Sequence, residues 1–190
     1  NVEHEARKEG FFYTDAISDQ AVAYIREHHA QHREQPLFQY VAYTAPHWPL
    51  HAHDADIAKY EARYKDGYDA LRRERLERMK KLGLVAADTP VFEGHPSWPK
   101  WDSLSPAEKA SEAKRMAVYA AMVDNMDRNI GRMLDYLKET GQLDNTFIFF
   151  LSDNGADGNS VYDVARTREW IHKDMDNSNA HIGKSGSYAE

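Results

Sequence analysis

The stretch TFIFFLSDNGADGN, Thr146–Asn159, joins an apolar run to a polar turn. Aromatic and β-branched residues at 146–151 favour a buried β-strand. Asp153, Asn154 and Gly155 follow that run, and these residue types are common in turns. Carboxylate and amide oxygens are also the ligands that Ca²⁺ and Mg²⁺ prefer. The stretch therefore predicts a strand that ends either in a plain turn or in a cation site.

A second short strand is predicted earlier in the chain, at about 37–43 within the run LFQYVAYTAP, which Pro46 ends. His47 follows that proline. A strand, a long helical crossover and a second strand make an α/β pattern, in which we expect the strands to be parallel. Ligands bind beyond the carboxyl ends of parallel strands. We therefore expect His47 at the same sheet edge as Asp153 and Asn154.

Two helical regions flank the first strand. Apolar residues at helical spacing predict one helix over 14–31. A second helical region covers 54–82, and Gly67 is expected to divide it into two helices. Residues 83–104, which carry prolines and tryptophans, are predicted to form a loop.

The clearest predicted helix begins at the sequence SPAE. Ser105 as N-cap, Pro106 at the first helical position and Glu108 at the third make a capping box, and Gly141 supplies the stop. The residues expected to form the apolar stripe of this helix are Tyr119, Val123, Met126, Ile130, Met133, Leu134 and Leu137. Residues 155–190 are rich in Gly, Asn, Ser and Asp and are predicted to be mainly loop.

These elements predict an α/β fold with a mostly parallel sheet flanked by helices. Sheets of this kind usually have about four to six strands, whereas only two convincing strands occur in the 190 residues. We therefore expect residues 1–190 to be the central portion of a larger domain.

Composition excludes several classes of function. A net charge of −7 and a pI near 5.8 argue against a nucleic-acid surface. The basic residues of LRRERLERMKK alternate with Glu at helical spacing, which indicates a solvated helix face. The sequence has no apolar run of about 18 residues, so no membrane span is predicted. The chain has no cysteine, which excludes disulfides and thiol catalysis within it. Oligomeric state is not indicated.

Histidine pairs offer competing metal sites. His28 and His32 have the spacing of a metal-binding pair on one helix face, but the sequence shows no third ligand. His47, His51 and His53 are a second candidate, for a zinc cluster. The chain holds ten histidines, so chance pairs are expected.

Aromatic and acidic loop residues also have two interpretations. Trp48, Trp98 and Trp101 either line a substrate cleft or pack the loops against the core. Asp157 either adds an outer-sphere carboxylate to the cation site or is a solvated loop acid.

Three longer stretches carry a family resemblance: YTAPHWPLHAH, AMVDNMDRNIGRMLDYLKETGQLDNT and IFFLSDNGADG. In sequence, order and spacing they resemble the bacterial arylsulfatases, type I sulfatases of the alkaline-phosphatase-like superfamily. The resemblance runs from about Phe11 to Tyr188. SDNG is shared more widely across the superfamily, whereas APHWPL followed by that helix and SDNG is more specific.

The resemblance implies a sulfuric ester hydrolase that uses a formylglycine nucleophile and a bound Ca²⁺, with Mg²⁺ as an alternative. Its substrate would be a small-molecule or carbohydrate sulfate ester. Asp153 and Asn154 would be metal ligands, and His47 would contact the ester and help to protonate the departing alcohol. The resemblance favours a periplasmic or secreted location and leaves a cytoplasmic one open.

The chain also departs from the family pattern. It has no C/S-x-P-S/A-R motif, so the formylglycine and two further Asp ligands are expected outside this sequence. The second catalytic lysine of the family is expected downstream, and Lys184 is interpreted as an exposed loop residue. Two alternatives stay open: a phosphoesterase or phosphonate monoester hydrolase of the same superfamily, and a non-catalytic sulfatase-like domain.

Overall fold

The computed structural model of the chain describes residues 10–156, 165–185 and 187–188. Its helices are α1 (Tyr13–Gln31), α2 (Asp54–Ala58), α3 (Gly67–Lys81), α4 (Pro106–Glu139) and α5 (Ala165–Asp174), with 3₁₀ turns at Trp101–Ser103 and Leu143–Asn145. The chain divides into two compact units, 1–48 with 122–170 and 49–121 with 171–190. Within the described ranges, no helix has the length and apolar character needed to cross a bilayer.

Most of the predicted helices are present. α1 matches the helix predicted over 14–31, and the division at Gly67 is confirmed because α3 begins there. The region before Gly67 contains only the short α2, followed by turns over 59–66. The prediction that 155–190 is mainly loop is wrong for 165–174, where α5 forms. The Gly-, Asn- and Ser-rich sequence on both sides of α5 concealed its short helical run.

Both ends of α4 form as predicted. The backbone N–H of Ser105 donates to the Glu108 carboxylate at 2.7 Å, and the Glu108 N–H donates to Ser105 Oγ at 3.3 Å. The hydrogen bonds from Ser105 lower the pKa of Glu108. At the other end, the N–H groups of Gly141 and Gln142 donate to the carbonyls of Lys138 and Leu137. This is the Schellman arrangement, in which glycine takes the left-handed position.

The buried face of α4 matches the predicted apolar stripe only in part, since Leu137 is buried but Tyr119 and Val123 are exposed. Tyr119 is 41% exposed, whereas Asn125 and Asn129, which lie about a third of a turn away, are buried. Both amides donate to one carboxylate oxygen of Asp15 in α1, at 3.0 and 2.7 Å. Buried amides need such partners. The stripe prediction counted apolar residues only and therefore missed a face that is held by polar contacts.

The first unit places the segment at 37–43 beside α1. Tyr43 Oη lies 2.8 Å from Ser18 Oγ, and Gln39 Nε2 donates to the Ala21 carbonyl at 3.1 Å. Burial raises the pKa of the Tyr43 hydroxyl, although its hydrogen bond with Ser18 acts in the opposite direction. The buried apolar residues of this unit are Ala21, Val22, Ile25, Met122 and Leu137.

The two predicted strands do not pair in the part of the chain that the structure describes. Residues 37–43 and 146–151 belong to no β-ladder there, and the His51–Gly183 contact is an isolated bridge. Phe38 is 92% exposed and Phe147 is 82% exposed. Strands of a parallel sheet are covered on both faces and hydrogen-bonded on both edges, and the described residues supply no such neighbours. The parallel sheet and its shared edge are thus not formed by these residues.

The second unit is organised around Trp101. The buried apolar residues of this unit are Leu50, Ile57, Trp101, Ala117, Val118, Ala121, Ile171 and Ile182. The backbone N–H of Trp101 donates to Asp69 Oδ2 at 3.2 Å, and the Tyr68 ring meets the indole edge-on at 5.5 Å. Gly67, with φ +83°, lies against the Trp101 indole so closely that a Cβ atom there would overlap the ring.

Gly67→Ala is expected to lower the free energy of unfolding by about 3 kcal/mol or more. A left-handed non-glycine residue costs about 1–2 kcal/mol, and overlap with the Trp101 ring adds about 1–3 kcal/mol. Gly83→Ala is the matched control, because Gly83 has φ +69° and no atom within 4 Å of its Cβ position. Thermal denaturation of the two variants measures the difference. Equal melting temperatures would show that the contact with Trp101 is not tight.

Candidate active site

His47 lies in a tight turn after the first extended segment. Its backbone N–H donates to the Thr44 carbonyl at 2.9 Å. Its ring Nδ1 is 2.6 Å from the Trp48 carbonyl oxygen, so Nδ1 carries the proton and donates. The Trp48 ring packs beside the imidazole, with centroids 4.7 Å apart. These contacts fix the ring and leave Nε2 of an exposed imidazole directed to a ligand or to water.

Asp153 and Asn154 follow the second extended segment and are both exposed. Their hydrogen bonds are local. Asp153 Oδ1 accepts the Asn154 N–H at 3.0 Å, Asn154 Nδ2 donates to the Gly155 carbonyl at 2.8 Å, and Ser152 Oγ donates to the Asn154 carbonyl at 2.6 Å. Asp153 Oδ2 and Asn154 Oδ1 make no hydrogen bond to any described residue. A turn thus presents one carboxylate oxygen and one amide oxygen outward.

The described residues do not assemble these three side chains into one site. His47, Asp153 and Asn154 lie in the first unit, but their hydrogen bonds and ring contacts are all with sequence neighbours. Nor do the described residues contain a group of three or more His, Cys, Asp or Glu side chains that could hold a metal ion. The assignment of these residues to a shared site therefore stays a prediction.

The competing histidine sites do not form in the described part of the chain. The His28 and His32 rings lie 6.1 Å apart without a third ligand. The zinc cluster of His47, His51 and His53 is wrong by the same observation. His51 Nε2 instead donates to the backbone carbonyl of Ser187 at 2.9 Å, which is a structural contact.

The three candidate cleft tryptophans have different surroundings. Trp101 is buried against Gly67, so of its two interpretations packing against the core is confirmed. Trp48 is half-buried beside His47, whereas Trp98 is 54% exposed. Of the three, Trp98 therefore has the most ring surface available to a ligand.

The last two candidates have different outcomes. Lys184 is an exposed residue whose Nζ lies 3.9 Å from Asp54 Oδ2, in agreement with its interpretation as a loop residue. The prediction for Asp157 lies outside the described residues.

Sequence reasoning missed an ordered aromatic surface around Trp98. The rings of Phe92 and His95 both lie near its indole, with centroids 6.3 and 6.0 Å away. The available signal was VFEGHPSWPKW, in which aromatic and basic residues alternate with Gly and Pro.

A family model described as Sulfatase matches residues 2–190. The chain belongs to the sulfatase family. The resemblance carried by the sequence is confirmed, and membership implies the alkaline-phosphatase-like fold at the level of the whole domain.

Individual sulfatases align along most of the chain. It is 38% identical over 190 residues to an uncharacterized sulfatase of Schizosaccharomyces pombe, covering 98% of the chain and 33% of that protein. It is 39% identical over 179 residues to an arylsulfatase of Klebsiella aerogenes, covering 94% of the chain and 37% of that protein. The multifunctional alkaline phosphatase superfamily protein PehA of Trinickia caryophylli is 28% identical over 149 residues, covering 73% of the chain and 26% of that protein. This sulfatase chain therefore spans about a third of the length of the first two relatives.

Proposed function

We propose that the chain is the central part of the catalytic domain of a sulfuric ester hydrolase. The reaction would cleave a sulfate ester to an alcohol or phenol and inorganic sulfate. The observation that carries the proposal is the match to the sulfatase family over 2–190, together with 39% identity to a protein named arylsulfatase. The chain covers 37% of that arylsulfatase, so the proposal concerns the complete protein.

In the complete domain, 37–43 and 146–151 would be strands of the expected, mostly parallel sheet. Their exposed side chains support this, since Phe38, Tyr40, Phe149 and Phe150 are all at least 75% exposed in the described structure. Neighbouring strands and helices outside the chain would cover this apolar surface. The carboxyl ends of the two strands would then carry His47, Asp153 and Asn154 to one edge.

Asp153 and Asn154 fit part of a Ca²⁺ site, with Mg²⁺ as the alternative. Each has a side-chain oxygen without a hydrogen bond to a described residue, and hard cations prefer such oxygens. Ca²⁺ takes about six to eight oxygen ligands, so other segments would have to complete the site. When bound, the cation would offset negative charge on the sulfate oxygens. The formylglycine implied by the resemblance would also come from outside the chain.

His47 would act as the general acid for the departing oxygen. The Trp48 carbonyl accepts the proton on Nδ1, which leaves Nε2 as the atom that meets the substrate. In the imidazolium form, Nε2–H would donate to the bridging oxygen as the S–O bond breaks and would transfer its proton there. The same N–H can hydrogen-bond the sulfate ester before reaction.

A phosphoesterase or phosphonate monoester hydrolase is the second candidate. The match to PehA, named as a multifunctional member of the alkaline phosphatase superfamily, favours it. The ratio of kcat/KM values for matched aryl sulfate, aryl phosphate and phosphonate esters separates the two, since the proposed sulfatase should prefer the sulfate.

The full-length protein is expected to hydrolyse an aryl sulfate, whereas a purified 1–190 chain should show no activity above background. The isolated chain would lack the nucleophile and most of the metal ligands. Release of 4-nitrophenol from 4-nitrophenyl sulfate measures the activity of both proteins. Turnover by the isolated chain would contradict the division of the site, and an inert, correctly folded full-length protein would favour the non-catalytic alternative.

A further inference from the structure

We propose that residues 92–100, here called the aromatic loop, form a binding surface for a sulfated sugar ring. The inference rests on the proposed function, because the ligand that it names is a sulfate ester of a sugar. The loop belongs to the second unit, whereas His47, Asp153 and Asn154 belong to the first. The contacts that support the inference are those of the loop itself, and the residues of the candidate active site take no part in them.

The aromatic loop is held in shape by hydrogen bonds across it. Lys100 Nζ donates to the Glu93 carbonyl, which joins the two ends of the loop. The backbone N–H of Trp98 donates to the His95 carbonyl at 3.0 Å and closes a turn between them. A loop ordered before binding loses less conformational entropy when a ligand arrives.

Contacts with α3 tie the same loop to the core of its unit. The Arg72 guanidinium lies 5.7 Å from the centroid of the Phe92 ring, and Arg72 Nη1 is bonded to Asp69 Oδ1 at 3.0 Å. A Cβ on Gly94 would lie 3.4 Å from Arg72 Nη1, so the backbone passes close to the guanidinium. The Tyr68 hydroxyl of α3 donates to the carbonyl that follows Trp98, that of Pro99.

Two aromatic rings of the loop are exposed although they are fixed. Phe92 is 62% exposed and Trp98 is 54% exposed, and their rings stand at 90° with centroids 6.3 Å apart. Part of each apolar ring is therefore open to a ligand, although the Arg72 guanidinium lies over the Phe92 ring. Exposed, ordered aromatic surfaces of this kind commonly mark binding sites. The C–H face of a sugar ring can pack flat on such a face, because it is apolar while its hydroxyls point outward.

Polar groups on the loop match an anionic substituent on that ring. Lys100 Nζ donates to a backbone carbonyl and, among the described residues, forms no ion pair with a carboxylate. His95 Nδ1 accepts the Ser97 N–H at 3.2 Å, which places the proton of the neutral imidazole on Nε2. An ammonium and an outward N–H donor beside the rings suit the oxygens of a sulfate group.

Binding of dextran sulfate and of unsulfated dextran to the full-length protein tests the inference, by affinity electrophoresis and calorimetry. Dextran sulfate should bind and dextran should bind more weakly. Trp98→Ala and Lys100→Gln should each weaken dextran sulfate binding on the order of tenfold, whereas Trp98→Phe and Lys100→Arg should retain most of it. Trp170→Ala is the matched control, since Trp170 is also an exposed tryptophan, at 42%.

The outcomes separate this inference from the proposed function. Hydrolysis of 4-nitrophenyl sulfate by the unaltered protein is measured in parallel as the readout of the proposed function, and the control Trp170→Ala should leave both this rate and dextran sulfate binding unchanged. Loss of binding in Lys100→Gln but not in Trp98→Ala would indicate only general attraction to a polyanion and would overturn the inference. Normal hydrolysis with no binding would also overturn it while the proposed function stands. If the protein hydrolyses no sulfate ester but its dextran sulfate binding is lost in Trp98→Ala, the binding surface is supported and the proposed function is contradicted.

Discussion

Asp153→Ala in the full-length protein is expected to reduce kcat/KM for sulfate ester hydrolysis by about 10³-fold or more. The substitution removes a carboxylate whose Oδ2 is directed outward without a hydrogen bond to a described residue. Stabilisation of transition-state charge by a bound cation is worth several kcal/mol, which corresponds to a rate factor of this size. Steady-state kinetics with 4-nitrophenyl sulfate at several Ca²⁺ concentrations measures the loss.

A metal-ligand role for Asp153 predicts a second result for this variant. If Asp153 is a ligand, Asp153→Ala should need a higher Ca²⁺ concentration for half-maximal activity, and calorimetry should show weaker Ca²⁺ binding. Asp144→Ala is the matched control, because Asp144 is also an exposed acid shortly before the second extended segment. Unchanged kinetics in Asp153→Ala, or an equal loss in Asp144→Ala, would contradict the assignment.

The parts of the fold that the sequence predicts well are those decided by neighbouring residues. The start of α4 depends on Ser105 and Glu108, which hydrogen-bond each other within one turn. Its end depends on Gly141, which takes the left-handed conformation that the cap requires. APHWPL, the long helix after it and SDNG together likewise indicated the family, since their residues and order can be read directly from the sequence.

Features decided by distant residues were not predictable in this way. Asn125 and Asn129 are buried because Asp15, far away in sequence, accepts their hydrogen bonds. Trp101 is buried because Gly67 leaves room for its indole, and no periodicity shows that pairing. The candidate site has the same limit. The sequence identifies which side chains follow the two apolar segments, but their approach to each other depends on neighbouring strands that the described residues do not contain.

His47→Ala is expected to lower kcat/KM by an amount that depends on the leaving group. A general acid contributes about 10²–10⁴-fold when the departing oxygen is basic, and much less when the leaving group is an acidic nitrophenol that needs no proton. The loss in kcat/KM should therefore be largest for alkyl sulfates, intermediate for phenyl sulfate and smallest for 4-nitrophenyl sulfate. A series of substituted phenyl sulfates gives the slope of log kcat/KM against leaving-group basicity, which should become steeper in the variant.

This slope separates the two roles proposed for His47. If His47 only binds the sulfate group, its removal should reduce kcat/KM by a similar factor for all substrates, because the sulfate is common to them. A proton donor must change the slope, since only the bridging oxygen differs along the series. His32→Ala, at an exposed histidine beyond the end of α1, is the control and should alter neither the rates nor the slope. A parallel loss across all leaving groups would contradict proton transfer from Nε2 and leave His47 as a contact to the ester alone.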